Sequence, residues 1–305
     1  FVSSVDLKKQ LQDRPETRLH FTDSLADIFE KIRPFAVRET KARVLLNLPE
    51  KIIQRIYTDW EPLQYDLYRQ IQHELRATVV RDGILLEDDS EPLLKRLMRL
   101  VQVAANPSLV TDRWKHLPGK YPYLLDITRD ILNRQEKGII WTSFTENADW
   151  LAQNLKNFGT RAVHGKMSIE LRNKAIDAFC SDHSISFLIA TPGAAKEGLT
   201  LTVANNVIFF DRSFSLDDYL QAQDRIHRIS QTKICNVFNL VMKDSIDEWV
   251  DMLLEAKRLA AQFTQGDISR EYFESQMSFD FLTVIGEILA LNKDENQKAG
   301  TGENP

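Results

Sequence analysis

Five short apolar runs, separated by amphipathic stretches in the second half of the chain, constrain the fold more than any other feature. They occupy residues 138–143, 160–163, 186–190, 206–210 and 235–240. Apolar runs of this length without polar alternation are typical of strands that are buried on both faces. Strands that alternate with helices pair in parallel through right-handed crossovers. The sequence therefore predicts a doubly wound α/β lobe over about residues 117–262, with ligands at the carboxyl ends of its strands.

The regions on either side of this lobe have a different pattern. Residues 1–116 are dominated by apolar positions three and four apart, which is typical of helices, and an extended run at 51–57 interrupts them. A helix restarts with Pro62 near its first turn. Residues 263–305 are predicted to form a C-terminal helix and a tail that is polar and glycine-rich from about residue 292, a composition typical of disorder.

Composition and charge exclude several classes of protein. Apolar residues at 43% and charged residues at 27% are close to globular averages, which argues against a disordered or fibrous chain. The apolar stretch at 203–210 is far shorter than the ~20 residues that cross a bilayer, so no membrane partner is predicted. Cys180 and Cys235 are predicted to be buried thiols, which fits an intracellular protein. With a net charge of -5, any contact with nucleic acid must use a local basic face.

A helix predicted after Ser215 carries the clearest candidate chemistry. Ser215 is a suitable N-cap, and the helical spacing continues to about residue 229. Four polar side chains share one arc of this helix, namely Gln221, Asp224, Arg225 and Arg228. The planar, always charged guanidinium groups of Arg225 and Arg228 are suited to stabilise a phosphoryl group in transfer. The same spacing also fits a solvated face on which Asp224 pairs with Arg228.

The residues around these arginines resemble a known motif. Residues 221–231 run Gln-Ala-Gln-Asp-Arg-Ile-His-Arg-Ile-Ser-Gln and resemble motif VI of the Swi/Snf family, Q-A-x-x-R-x-H-R-x-G-Q, from which only Ser230 departs. Other segments resemble family signatures in the same order, namely 32–41, 48–51, 64–68, 106–109, 139–144, 164–179, 198–211 and 244–248. The resemblance covers about residues 25–260. It departs at 194–197, where Ala-Ala-Lys-Glu replaces the usual Ala-Gly-Gly.

Membership of this family would imply a RecA-like lobe two, the helicase C-terminal lobe, with helical insertions toward its N-terminus. Such a lobe is the moving half of an ATP-driven double-stranded-DNA translocase or remodeller. By this resemblance, Arg225 and Arg228 are arginine fingers that reach ATP on another lobe. The residues expected to line the same cleft are Gly198, Gln221 and Asp224.

The resemblance also implies contacts with the phosphates of one DNA strand. The residues expected to make them lie at strand ends and are Ser143, His164, Gly165, Lys166 and Thr191. Lys196 either reaches a phosphate or is solvated.

Two parts of a complete motor have no match in the sequence. A phosphate loop ends in Gly-Lys-Ser/Thr, whereas Gly119-Lys-Tyr and Gly165-Lys-Met lack the hydroxyl residue. Asp247 and Glu248 precede helical spacing, so they are predicted to begin a helix rather than to hold Mg²⁺. The resemblance assigns ATP and Mg²⁺ mainly to an N-terminal RecA-like lobe of the same parent chain, which would precede Phe1. This part of a DNA-dependent ATPase is therefore expected to be inactive alone.

Two other functions are compatible with the sequence: a lobe of a strand-separating helicase, and a non-catalytic scaffold that binds nucleic acid. The Arg-Ile-His-Arg order at 225–228 differs from the R-x-G-R common in helicases, and a scaffold has no need of both arginines. The expected location is intracellular, meaning cytoplasmic and nucleoid-associated in a bacterium or nuclear in a eukaryote.

Overall fold

The computed structural model describes residues 48–82, 90–195 and 200–276, together with residues 27 and 31. The strands in this part of the chain are β1 (Lys51–Thr58), β2 (Gly138–Trp141), β3 (Thr160–Val163), β4 (Phe187–Ala190), β5 (Asn206–Phe209) and β6 (Cys235–Met242). They form one sheet in the order β1-β6-β5-β2-β4-β3, and all of its pairings are parallel. The predicted α/β fold with a doubly wound parallel sheet is confirmed.

Several predictions concern residues outside the described ranges. These are the helical spacing before residue 47, the signature at 32–41, the tail from residue 292, and the loop residues Lys196 and Gly198. Their assigned roles stay predictions.

The helices follow the predicted alternation. They are α1 (Pro62–Asp82), α2 (Ser90–Ala105), α3 (Lys120–Asn133), α4 (Thr145–Asn154), α5 (Ile169–Ser181), α6 (Leu216–Gln223), α7 (Ile246–Thr264) and α8 (Arg270–Gln276). Short 3₁₀ turns occur at Pro107–Leu109, Lys156–Phe158 and Pro192–Ala195. Pro62 begins α1, where its missing N–H has no helical partner to lose.

Helices cover both faces of the sheet. On one face, strand residues pack with α5 in a cluster that includes Ile139, Val207 and Phe179. On the other face, the alternate strand residues pack with α3 and α4 in a cluster that includes Ile140, Ile208, Leu124 and Leu151. Every residue of β2, β4 and β5 is buried. Burial on both faces explains why these strands have continuous apolar sequences.

The extended run predicted at 51–57 is an integral strand of the sheet. As β1, it pairs in parallel with β6 from Lys51 opposite Cys235 to Thr58 opposite Met242. The sheet therefore includes residues that precede the predicted boundary at 117.

The chain divides into two compact units. Of the described residues, those from 48 to 251 belong to one unit, and those from 252 to 276, with 27 and 31, belong to the other. In the second unit, Phe263 and Phe273 stack with ring centroids 4.8 Å apart and pack with Leu259. The sheet and the site residues discussed below belong to the first unit.

Two local predictions have opposite outcomes. Gly159 ends the turn after α4 with φ +65, and a Cβ there would lie 1.9 Å from the Ser184 carbonyl oxygen, so glycine is required. The prediction that both cysteines are buried is wrong for Cys180, which lies exposed near the end of α5, and correct for Cys235. The described ranges contain no helix with the length and apolar character needed to span a membrane.

Candidate nucleotide and DNA interface

The residues predicted to contact DNA phosphates follow three neighbouring strands. Ser143 lies two residues after β2, Thr191 directly follows β4, and His164 directly follows β3. Because these strands are adjacent and parallel, their carboxyl ends meet at one edge of the sheet, here called the carboxyl edge. The Thr191 amide donates to the Val163 carbonyl at 3.1 Å, which joins two of these loops. The structure therefore brings the predicted phosphate contacts of the described residues together along this edge.

Two carboxylates of α4 pair with the basic residues that follow β3. His164 Nε2 lies 2.9 Å from Asp149 Oδ1, and Lys166 Nζ lies 2.5 Å from Glu146 Oε1. The hydrogen bond from Lys166 lowers the pKa of Glu146 to about 2, so this carboxylate stays ionised far below neutral pH. A phosphate that approaches His164 and Lys166 must therefore compete with two protein carboxylates.

Gly165 lies between these two residues in open space. A Cβ added there would meet no heavy atom within 4 Å beyond its chain neighbours. Packing within the protein therefore does not require glycine at residue 165. The absence of a side chain does let an external group approach the backbone closely.

The helix that carries the predicted arginine face is shorter than expected. Ser215 Oγ accepts a hydrogen bond from the Asp218 amide at 3.2 Å, so the predicted N-cap is confirmed. The helix ends at Gln223 rather than near residue 229, and the Ile226 and His227 amides both donate to the Gln223 carbonyl. The prediction of one continuous helical arc is therefore wrong, because the arginines lie in turns that follow α6.

Arg225 and Arg228 are close neighbours in these turns. Arg225 is only 6% exposed and lines a narrow recess with Trp141, Pro192 and Gln221. Burial lowers the pKa of Arg225, and the positive charge of Arg228 lowers it further. Two adjacent guanidinium groups that repel one another form a local positive centre in a chain whose net charge is negative.

Arg228 is held by the segment that resembles motif V. Its Nη1 donates to Thr200 Oγ1 at 2.8 Å, and its Nε donates to the Asp224 carbonyl at 3.1 Å. The alternative, a solvated face on which Asp224 pairs with Arg228, stays a prediction.

Gln231 connects the segments that resemble motif V and motif VI by hydrogen bonds. Its buried amide nitrogen lies 2.8 Å from the Ala204 carbonyl, 3.1 Å from the Ile226 carbonyl and 3.3 Å from the Thr202 carbonyl. Ser230, which stands where the family pattern has glycine, places its hydroxyl 3.2 Å from that of Thr202. The segments 200–204 and 224–231 are therefore joined by side chains at several points.

His227 has a contact that sequence reasoning missed. Its Nε2 lies 2.9 Å from the Pro49 carbonyl oxygen, just before β1. The Cys235 amide donates to the next carbonyl, that of Glu50, at 2.9 Å. The family signature at 48–51 was the signal available in the sequence. The turn between the two arginines is thus connected to the residues that lead into the sheet.

A buried ion pair lies beneath the carboxyl edge. Lys120 is fully buried, with Nζ 2.5 Å from Asp247 Oδ2 and 2.9 Å from the Phe210 carbonyl oxygen. Asp247 also accepts from the Met242 amide at 2.9 Å. Its place in the first turn of α7 confirms that the acidic pair at 247–248 begins a helix. Lys120 thereby connects the start of α3 to the ends of β5 and β6.

Comparisons with known proteins identify the lobe. Residues 119–230 match the model of the helicase conserved C-terminal domain. The chain is 34% identical over 200 residues, 64% of its length, to the ATP-dependent helicase FUN30 of Saccharomyces cerevisiae. Its structure matches the SWI2/SNF2 ATPase C-terminal domain of Sulfolobus solfataricus with a TM-score of 0.54 at 20% identity, covering 76% of this chain and 100% of that one. In sequence and in fold, the chain thus resembles the helicase C-terminal part of Swi/Snf ATPases.

The parallel sheet has the RecA-like fold of a helicase C-terminal lobe. It also matches the Sulfolobus solfataricus SWI2/SNF2 ATPase core in complex with double-stranded DNA, with a TM-score of 0.58 at 24% identity over 84% of this chain and 56% of that one. The chain spans 17% of the length of FUN30 and 24 to 27% of that of two other ATP-dependent helicases. The matched region is thus a small part of each of these relatives.

Proposed function

We propose that this lobe is the C-terminal half of an ATP-dependent double-stranded-DNA translocase or remodeller. The observation that carries the proposal is that one lobe holds both the side chains proposed to contact phosphates, which lie together at the carboxyl edge, and an arginine pair in the turns that follow α6. The proposed phosphate contacts follow β2, β3 and β4, and the two arginines lie between α6 and β6. A motor needs two such surfaces, because hydrolysis at one must be converted into movement along DNA at the other.

The DNA contact is proposed to use the carboxyl edge. Lys166 is 65% exposed on its side chain and Gly165 has open space around it, so both are accessible to a phosphate. His164, Ser143 and Thr191 lie on the same edge, and Lys196 is proposed to extend it. Contacts of this kind bind the backbone and carry no sequence information. A relative solved with double-stranded DNA supports the choice of duplex as the partner.

The nucleotide contact is proposed to use the arginine centre. Arg225 and Arg228 would stabilise the charge that develops on the transferred phosphoryl group, while Gly198, Gln221 and Asp224 line the same side of the cleft. ATP and Mg²⁺ would be held mainly by an N-terminal RecA-like lobe. The exposed position of Gln221 and the mutual repulsion of the two guanidinium groups support this role.

DNA binding by this chain is expected to be weak, independent of sequence and steeply dependent on salt. The test is fluorescence anisotropy with duplexes of unrelated sequence over a series of salt concentrations. Lys166→Ala should reduce the slope of log K against log salt by about 0.9, the value for one lost phosphate contact on duplex DNA. Lys156→Ala is the matched control, because the exposed Lys156 follows the far end of α4. Sequence-selective binding that persists at high salt would contradict the proposal.

Glu146→Gln is expected to strengthen duplex binding by about two- to fivefold, because removal of an exposed ion pair frees Lys166 at small cost. The measurement is the same titration at low salt. Asp126→Asn removes one negative charge from an exposed site on α3 and controls for the change in net charge. Equal gains from both variants would show that net charge, rather than the pairing of Glu146 with Lys166, limits binding.

The isolated chain is expected to hydrolyse no ATP, with or without DNA, because phosphate-loop and Mg²⁺-binding groups would come from another lobe. A coupled steady-state ATPase assay on the purified chain tests this. DNA-stimulated turnover that survives further purification would refute the assignment of these groups to a separate lobe.

A further inference from the structure

Four buried polar side chains form a continuous chain of hydrogen bonds that leads to the carboxyl edge. They come from four separate segments and are Asn106, Asn147, Thr142 and Asp211. Their exposed fractions are 0, 0, 0 and 2%. Buried polar groups destabilise the folded state unless they are hydrogen-bonded. The arrangement of these four side chains therefore indicates a specific role.

The chain begins where the helical region meets the sheet. Asn106 follows α2, and its Oδ1 accepts from the Ser108 amide at 3.1 Å and the Ser108 hydroxyl at 2.8 Å. An amide N–H can only donate, so this contact fixes the orientation of the Asn106 side chain. Its Nδ2 therefore faces Asn147 Oδ1 on α4, at 3.0 Å.

The remaining bonds run in the same direction. Asn147 Nδ2 donates to Thr142 Oγ1 at 3.0 Å, and Thr142 Oγ1 donates to Asp211 Oδ2 at 2.5 Å. Each donor points toward the next acceptor, and the last acceptor is a carboxylate. In a directional chain of this kind, the hydrogen bonds polarise one another and each becomes stronger.

The carboxylate then acts on the loop after β2. Asp211 Oδ1 accepts from the Ser143 amide at 2.7 Å, a short hydrogen bond. Thr142 Oγ1 also lies 3.5 Å from the Phe144 amide, at the start of α4. The backbone at Ser143 is thus fixed by a carboxylate from the end of β5, whose own position depends on the three other side chains.

We infer that Asn106, Asn147, Thr142 and Asp211 are positioning residues that set the Ser143 loop for contact with a DNA phosphate. This inference rests on the proposed function. The chain of bonds also makes the end of the helical region, at Asn106, part of the support for the carboxyl edge. A change at Asn106 would reach Ser143 through three intervening side chains.

The test compares Thr142→Val with Thr142→Ser in this chain. Valine keeps the shape of threonine but removes the hydroxyl, whereas serine keeps the hydroxyl. Thr142→Val should weaken binding of a duplex at low salt by about tenfold, the effect of losing a hydrogen bond to a charged group. Thr142→Ser should bind within about twofold of the unmodified chain. In NMR spectra, the Ser143 amide proton should move upfield in Thr142→Val and exchange faster with solvent.

Thr160→Val is the matched control. Thr160 is also a buried threonine of the same sheet, and its hydroxyl donates to the Ala152 carbonyl at the opposite edge. This variant should alter the melting temperature without changing DNA affinity or the Ser143 amide. If Thr142→Val fails to fold, Asn106→Ala interrupts the same chain three side chains away from Ser143 and should show the same two effects.

The possible failures can be told apart. If the unmodified chain binds no duplex at low salt, the proposed function fails, while the Ser143 amide still reports whether the bonds position the loop. If the chain binds but Thr142→Val binds equally well, the positioning role is refuted. An unchanged Ser143 amide in both Thr142→Val and Asn106→Ala would likewise overturn it.

Discussion

Arg225→Ala or Arg228→Ala, introduced into a protein that joins this lobe to a first RecA-like lobe, is expected to lower ATP turnover by about 10³-fold or more. That is the effect of removing an arginine finger from a phosphoryl-transfer site. The physical reason is that no other group replaces the bidentate charge contact of a guanidinium with the transferred phosphoryl. The measurement is the DNA-stimulated steady-state ATPase rate.

Arg129→Ala is the control for loss of a positive charge, because Arg129 is exposed on α3 and pairs with Asp126 on the same helix. It should leave turnover unchanged. The melting temperature of each variant must also be measured, since Arg228 contacts Thr200 and the Asp224 carbonyl. Near-normal turnover in both alanine variants would refute the finger assignment. A large fall in melting temperature with proportionate loss of activity would favour a structural role for these arginines.

Lys120→Met is expected to destabilise the lobe by about 3–5 kcal/mol, because it leaves the Asp247 carboxylate buried without its partner. This loss is a large fraction of the ~5–15 kcal/mol that stabilises a typical protein. Denaturant unfolding, monitored by circular dichroism, measures the change. Lys120→Met combined with Asp247→Asn should recover part of the lost stability. The second substitution removes the unpaired negative charge at residue 247 and keeps an acceptor for the Met242 amide.

The matched control uses the same pair of residue types on the surface. Lys243 lies 2.6 Å from Asp59, and both side chains are about half exposed or more. Lys243→Met should leave the unfolding midpoint almost unchanged, because water screens an exposed pair. Equal effects of Lys120→Met and Lys243→Met would show that burial does not determine how much the Lys120–Asp247 pair contributes to the free energy of unfolding.

The strands of the sheet could be predicted because burial on both faces leaves a local signature in the sequence. A continuous apolar run such as 206–210 has few other structural explanations when helical spacing surrounds it. The position of β1 in the sheet could not be predicted in this way. Its partner β6 is far away in the sequence, and the partly exposed residues of an edge strand have no distinctive pattern.

The end of α6 shows why periodicity alone was insufficient. Helical spacing continues past Gln223, but the Arg225 carbonyl accepts from the Leu201 amide at 3.0 Å. A carbonyl used in this way by a distant segment is diverted from the i+4 amide of a continuing helix. This contact with a distant segment therefore opposes a helix that extends to residue 229, and the local sequence does not encode it.

The site was predicted more completely than its support. Motif resemblance located the arginines and the strand-end residues, whose assigned roles stay predictions. Asp211 ends the family signature at 198–211, but its burial and that of Lys120 had no signal, because lysine and aspartate are usually exposed and their burial depends on partners brought together only by the fold. The same reason explains why the contacts between Asn106 and Asn147 were not predicted.

The contacts made by Gln231 have a consequence for protein engineering. One side chain joins carbonyl groups of 202–204 to that of Ile226, so the two motif segments share a set of interlocking bonds. A chimera that imports only residues 224–231 from a relative would keep the bonds to backbone carbonyls but would separate the side chains at 228 and 230 from their partners, Thr200 and Thr202. Such an exchange should transfer 200–204 and 224–231 as one module, although they are separate in the sequence.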